Sequence, residues 1–389
     1  MWFFKSPEIV HGEEALNHLE QLEGKRAHII TDAVLVKLGH ADRVRKVLES
    51  AGFQVAVFDR VEPDPSLETV RAGAAAMTEF GPDWIVALGG GSCIDAAKAM
   101  WILYERPDVD PEGINPIENF HLRRKARLVA IPTTSGTGSE STWIVVLTNR
   151  GERRKLGLGT REAVPDIAIV DPSFVMDLPP RITADTGMDA LTHAVEGYTC
   201  VYHNDFTDGL CLRAAQMVFE FLPRAYKDGH DAEARLRMHN AASIAGLGFG
   251  NSMASLAHGM GHSLGGVFHI PHGRGVSLCL PYVIEFCARG DTSRTRYGLL
   301  ASALGLPGKD EAQAAAALAA AIRDLQVRLD QPRSLRECGV TRENLATELA
   351  LLVSNTGNDS STVTSTRSPD DVEVGKLFEY VFEGRSIDF

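Results

Sequence analysis

Asp189 and His193 stand four residues apart in Thr186-Gly187-Met188-Asp189-Ala190-Leu191-Thr192-His193-Ala194, and His258 and His262 repeat that spacing in Ala257-His258-Gly259-Met260-Gly261-His262. On a helix, residues four apart share one face, a single turn from each other. His272 follows in Ile270-Pro271-His272-Gly273, where proline and glycine fix a turn. One carboxylate with two or three imidazoles is a mixed nitrogen and oxygen donor set, suited to Fe(II), Zn(II) or a similar divalent ion. A lone histidine is more often structural than a ligand, and the chain has 13 histidines. His11, His18, His40, His121, His203, His230 and His239 take that ordinary reading, and His269 shares no clear helical face with the pairs. Two i,i+4 pairs and a Pro-His-Gly turn within about one hundred residues favour a metal centre.

A second chemistry is written upstream. Gly89-Gly90-Gly91-Ser92 close the apolar run Asp83–Leu88 and open a helical stretch carrying Asp95 and Lys98. Such a turn lets backbone approach an anion closely and points free helix-start N–H groups at it. It matches neither G-x-G-x-x-G nor Walker A, so alone it equally describes a tight turn. Ile131-Pro132-Thr133-Thr134-Ser135-Gly136-Thr137-Gly138-Ser139-Glu140 follows the next apolar strand, with hydroxyls and glycines at what should be the same sheet edge. Ligands of open α/β folds bind beyond the carboxyl ends of the strands, so two such loops suggest a nucleotide-sized ligand. Asp32 ends the first strand; a carboxylate there accepts bonds from a ribose diol and repels a 2′-phosphate, favouring NAD over NADP.

These residues need elements to hold them. Arg26–Thr31, Gln54–Phe58, Asp83–Leu88, Leu128–Ile131 and Ile167–Val170 read as strands. Helical stretches at Arg43–Ala51 and Leu67–Phe80, and from the glycine turn to about Tyr104, lie between them. That alternation predicts a parallel sheet covered on both faces. After Leu178-Pro179-Pro180 helical periodicity takes over, at Asp189–Tyr198, Asp208–Tyr226, Ala232–Gly246, Ser255–Gly265, Ala312–Leu329 and Thr341–Val353. The expected organisation is an α/β domain over 1–181 and an all-helical domain over 182–389.

Composition agrees with two domains. The chain has 389 residues, a net charge of −12, 44% hydrophobic and 23% charged residues. A balance this acidic repels nucleic acid and anionic membrane surfaces. No apolar run approaches the roughly 18 residues of a membrane helix. The segment MWFFKSPEIV has neither the basic nor the long apolar region of a secretory leader. Six cysteines without C-x-x-C spacing read as thiols in a reducing compartment, so the cytoplasm is the expected location.

Taken together, GGGSCIDAAK (89–98), IPTTSGTGSE (131–140), TGMDALTHAVEGY (186–198) and HGMGHSLGGVFHIPHG (258–273) resemble the iron-containing, group III alcohol dehydrogenases, in order and across nearly the whole chain. The resemblance implies an N-terminal Rossmann-like α/β domain and an all-α C-terminal domain, the fold shared with dehydroquinate synthase, with NAD(P) and a metal in the cleft between them. It implies Asp189, His193, His258 and His272 as metal ligands, and His262 as the non-ligand active-site histidine that handles the proton. It places Gly90, Gly91, Ser92 and Asp95 in the pyrophosphate loop and Thr133, Thr134 and Thr137 in a second cofactor loop. Lys155 matches a lysine that contacts the cofactor, and Asp32 the acid that accompanies NAD use. NAD, with NADP as the alternative, and Fe(II), with Zn(II) as the alternative, are the expected cofactors. The expected partners are a small alcohol or aldehyde and copies of the chain in a homodimer or larger homo-oligomer.

Two stretches depart from the family pattern. Where relatives show Cys-Thr and Asn-Pro-Arg, this chain has Asp359-Ser360-Ser361-Thr362 and Ser365-Thr366-Arg367-Ser368-Pro369. Trp143-Ile144 is bulky and apolar where some diol-reducing relatives carry Asn, which points to a simple alcohol rather than a polyol. The rival functions are a glycerol or polyol dehydrogenase, a dehydroquinate synthase-like lyase, and a metal that merely staples the helical domain.

Overall fold

The computed structural model describes residues 3–389; Met1 and Trp2, the start of the segment weighed above for a secretory leader, lie outside the described residues. One compact unit takes residues up to 152 together with 156–177, and the other takes 153–155 and 178–389.

The first unit follows the chain as β1 (Glu8–His11), β2 (Arg26–Ile30), α1 (Ala33–Lys37), α2 (His40–Ser50), β3 (Gln54–Phe58), α3 (Leu67–Phe80), β4 (Trp84–Gly89), α4 (Gly91–Glu105) and β5 (Arg127–Pro132). Then come β6 (Ile144–Asn149), β7 (Arg154–Gly159), whose first two residues count with the other unit, and β8 (Ile167–Val170). Six strands pair in parallel in the order β1-β8-β5-β4-β2-β3, while β6 and β7 pair separately. The continuous apolar strands split by parity. Trp84, Val86 and Leu88 enter the core on one face, and Ile85 and Ala87 the core on the other. Val129 and Ile131 oppose Leu128 and Ala130 in the same way. Apolar residues on both parities are what a doubly covered sheet requires.

The strand order reverses between β2 and β4. The chain runs outward from β2 to β3, then returns to the far side of β2 and proceeds to β5. Asp32 follows β2 and the glycine turn follows β4, so both stand at the switch point where such sheets bind ligands.

The second unit contains α5 (Pro180–Thr199), α6 (Asp205–Lys227), α7 (Ala232–Gly250), α8 (Leu256–Phe268), α9 (His272–Cys287), α10 (Asp291–Ala303), α11 (Glu311–Arg328), α12 (Arg342–Gly357) and α13 (Asp371–Glu383). One continuous core joins them, from Ala184 to Ile387. The helix carrying Asp189 is longer than periodicity indicated, because Pro180 starts it at the first helical position, where a missing N–H costs nothing. The Pro-His-Gly segment also differs from the turn expected: Pro271 is the N-cap and His272 the first residue of α9. No helix among the described residues is long and apolar enough to cross a membrane.

Candidate metal centre and dinucleotide loops

Three helices converge on Asp189, His193, His258 and His272. α5 supplies the first two one turn apart, α8 supplies His258, and α9 supplies His272 from its first position. One donor atom from each lies within 4.8 Å of all the others. His193 Nε2 is 2.9 Å from His258 Nε2, and Asp189 Oδ1 is 3.8 Å from His258 Nε2 and 3.5 Å from His272 Nε2. An ion with tetrahedral bonds of about 2.0–2.2 Å sets its donors about 3.3–3.6 Å apart. The cage therefore has the dimensions of one divalent ion. Asp189 Oδ1 is buried with no hydrogen-bond partner among the described residues, a costly state that a bound cation relieves. The residues fit the metal that the resemblance implies.

The electrostatics agree. Burial pushes the Asp189 carboxyl up, but the imidazoles of His193, His272 and His258 outweigh it and hold that carboxyl far below the ordinary range. His272 is lowered to about 4, by burial first and then by the charge of Lys155, against the opposing pull of Asp189. His193 is stacked on Phe249 of α7, 3.9 Å between ring centroids, which fixes the ring plane. Gly273 explains the tight start of α9. A Cβ there would lie 2.2 Å from the Asp185 carbonyl oxygen, so only glycine lets α9 sit this close to α5.

His262 is outside the four-residue group. Its ring lies against His272, 5.2 Å between centroids, and its Nδ1 pairs with Asp359 Oδ2 at 2.8 Å. Its Nε2 is buried without a hydrogen-bond partner among the described residues. Asp359, noticed in the sequence only as a departure, is itself buried, and His262 outweighs that burial to hold its carboxyl below the usual range. Two further carboxylates escaped the sequence reading. Asp185 pairs with Arg274, two residues beyond His272, at 2.9 Å. Glu196 meets His258 Nδ1 at 2.5 Å. Both lie on α5, at offsets of four and seven from Asp189, and that helical register was the available signal.

In the first unit the two loops adjoin. Gly89 is in register with Pro132, and the Thr133 N–H donates to the Gly89 carbonyl at 3.0 Å. A Cβ on Gly91 would come within 2.7 Å of the Thr137 methyl, and one on Gly90 within 3.3 Å of the Thr134 methyl. Gly90 caps α4, and Gly91 and Ser92 begin it, so its first N–H groups face outward from the switch point. Asp95 turns inward instead: it accepts from the Ser139 hydroxyl and, at 3.0 Å, from the Val146 N–H. Lys98, fully buried, donates to Ser139, Thr142 and the Ile144 carbonyl, and burial lowers its amine to about 8. These two side chains fasten the second loop to α4. Asp32 accepts from Val34 N and Leu35 N through Oδ1 and so caps α1, while Oδ2 lies 3.5 Å from Cys93 Sγ.

Lys155 belongs with the helical unit. Its Nζ would stand 3.3 Å from a Cβ on Gly265 of α8, and its charge reaches His272.

Comparison with known proteins bears on this geometry. Residues 6–172 match the family described as iron-containing alcohol dehydrogenase, and residues 183–382 match the Fe-containing alcohol dehydrogenase family, C-terminal. The NADPH-dependent butanol dehydrogenase of Clostridium saccharobutylicum is 39% identical over 391 residues, covering 100% of both chains. The bifunctional aldehyde-alcohol dehydrogenase AdhE of Escherichia coli (strain K12) is 38% identical over 93% of this chain, which spans 43% of that longer protein. The structure of an iron-containing alcohol dehydrogenase from Thermococcus thioreducens superposes with a TM-score of 0.89 at 32% identity, over 99% of this chain and 100% of that one.

Proposed function

Because the chain belongs to the iron-containing alcohol dehydrogenase family, and is thereby an oxidoreductase of alcohols and aldehydes, we propose that it interconverts a simple primary alcohol and its aldehyde with NAD, using Fe(II) held by Asp189, His193, His258 and His272. The single observation that carries this is the four-donor cage with its orphaned Asp189 oxygen. A divalent ion held by these four residues would supply Lewis acidity toward the substrate oxygen, and a nicotinamide cofactor held at the glycine turn would supply the hydride chemistry.

The remaining steps fall to the chain's own residues. Alcohol oxidation takes hydride from the carbinol carbon and a proton from its hydroxyl, so the site needs a proton acceptor. His262 offers Nε2, because Nδ1 is tied to Asp359; Nε2 takes the proton in oxidation and gives it back in reduction. The α/β domain, 1–181, holds the dinucleotide and the helical domain, 182–389, the metal. N–H groups at the start of α4, around Gly90, Gly91 and Ser92, cradle the pyrophosphate, with Thr133, Thr134 and Thr137 beside them. Asp95 acts on that site through the loop it fastens, and Lys155 brings positive charge to the anionic cofactor. Asp32, whose Oδ1 caps α1 and whose Oδ2 meets the Cys93 thiol, would accept from the ribose diol with its remaining lone pairs and disfavours a 2′-phosphate, which supports NAD here although the Clostridium relative is named NADPH-dependent. Trp143 and Ile144 favour a simple alcohol over a polyol. Six unpaired cysteines support a cytoplasmic setting, and a homo-oligomer is the proposed assembly.

The test is anaerobic loading with Fe(II), titration with NAD and with NADP, and a panel of alcohols and aldehydes followed by the absorbance of reduced nicotinamide. NAD reduction by a primary alcohol is expected. Absence of reaction in both directions across the panel sinks the proposal, and a preference for glycerol moves it to the polyol reading.

A further inference from the structure

Glu196 is fully buried on α5 and takes no part in the chemistry above. Its Oε2 accepts from the Ser255 N–H at 2.9 Å and meets His258 Nδ1 at 2.5 Å, while Oε1 accepts from the Ala257 N–H at 2.6 Å. Two of these bonds serve the end of α8. That helix starts at Leu256, and its N-cap, Ser255, makes no side-chain cap bond. A carboxylate from α5 therefore satisfies N–H groups the helix leaves open, and puts negative charge at its positive end.

The third bond reaches a ligand. An imidazole that donates from Nδ1 keeps its lone pair on Nε2, and a carboxylate partner on the far nitrogen fixes both tautomer and ring plane. His258 Nε2 is the atom that faces His193 and Asp189 in the cage. We propose that Glu196 is a positioning residue of the metal centre: by accepting the Nδ1 proton of His258 it aims the Nε2 lone pair at the ion and raises the affinity of the site. The proposal rests on the four-residue metal reading given above. Glutamine in its place has the same shape but must turn an NH2 toward one of three donors. It either accepts from His258 Nδ1 only as a neutral amide, a weaker partner than the charged carboxylate, while losing a helix-end bond, or forces His258 to carry its proton on Nε2, where the ion binds.

The test measures metal binding to the full-length apoprotein, by competition of Zn(II) and Co(II) with a chromophoric chelator and by the visible spectrum of the Co(II) form. Wild type should bind one ion per chain, and Glu196→Gln should bind about 10- to 100-fold more weakly with an altered Co(II) band. A second variant, Glu196→Gln with Ser255→Asp, caps α8 from its own N-cap position without restoring the His258 bond. It should remain as weak as the single variant. Wild-type affinity in either variant overturns the proposal, because the carboxylate would then serve only the helix end. If wild type and His193→Ala alike bind no ion, the metal reading itself is overturned, and the two failures are distinguished.

Discussion

His258 and His262 sit one turn apart on the same helix, yet their surroundings divide their work. His258 has Glu196 on one nitrogen and the cage on the other; His262 has Asp359 on one nitrogen and an empty hydrogen-bond position on the other. Spacing alone put both on the metal-facing side of α8 and could not separate ligand from proton carrier, because i,i+4 says only that two residues share a face. The family resemblance implies that assignment, and the two rings differ in their carboxylate partners, Glu196 for His258 and Asp359 for His262. His262→Ala should lower turnover about 100- to 10,000-fold, the range for a lost acid–base group, with metal content per chain unchanged. Asp359→Asn, which frees the ring without deleting it, should lower turnover less. Steady-state kinetics beside metal analysis decide the matter: loss of the metal from His262→Ala would make that residue a ligand instead.

At the scale of elements, α5 is the organising helix. Asp185, Asp189, His193 and Glu196 run along it; the inner pair lines the four-donor cage, and the outer pair reaches Arg274 beside His272 and the ring of His258. The ligand pair was visible in the sequence as a polar i,i+4 pattern, whereas the flanking carboxylates hid among buried apolar residues as ordinary helix charges. The strands that build the dinucleotide sheet were legible, since β3 and β8 are continuous apolar runs and β4 ends at glycines. β1, only four residues long and at the sheet edge, carried no pattern, and neither did β6 and β7. α9 was not legible as a helix because Pro271 and Gly273 read as fixing a turn around His272. Gly273 is instead the condition for close packing. Gly273→Ala, with its Cβ 2.2 Å from the Asp185 carbonyl oxygen, should push α9 and His272 off α5. A loss of about 1–3 kcal/mol of stability is expected for such overpacking, together with weaker metal binding. Gly275→Ala, whose nearest neighbour would be 3.3 Å away, is the milder control. Equal metal affinity in Gly273→Ala and wild type would contradict this account.

Across the whole molecule, the net charge of −12 opposes polyanionic partners but says little about a dinucleotide, whose phosphates, on the proposed function, would meet local backbone N–H groups and Lys155 rather than the overall field. The two units carry separate cores, residues 15–174 in one and 184–387 in the other, so their stabilities need not answer to the same conditions. The helical unit holds the four-donor cage. The sheet unit holds a different liability, His28 in the middle of β2. It is 3% exposed, its Nδ1 has no hydrogen-bond partner among the described residues, and Phe80 packs edge-on against its ring at 5.5 Å. Burial lowers its pKa from 6.5 to about 4. Between those values the unfolded chain binds a proton that the folded sheet refuses, so stability rises with pH and is lost as pH falls from 6.5 toward 4. The difference is worth about 3 kcal/mol. His28→Leu removes the proton site while keeping the position apolar. Denaturant unfolding with a chelator present, so that metal loss does not enter, should show wild type losing that stability across the interval and the variant holding it. Parallel acid limbs in the two proteins would assign the loss to other groups.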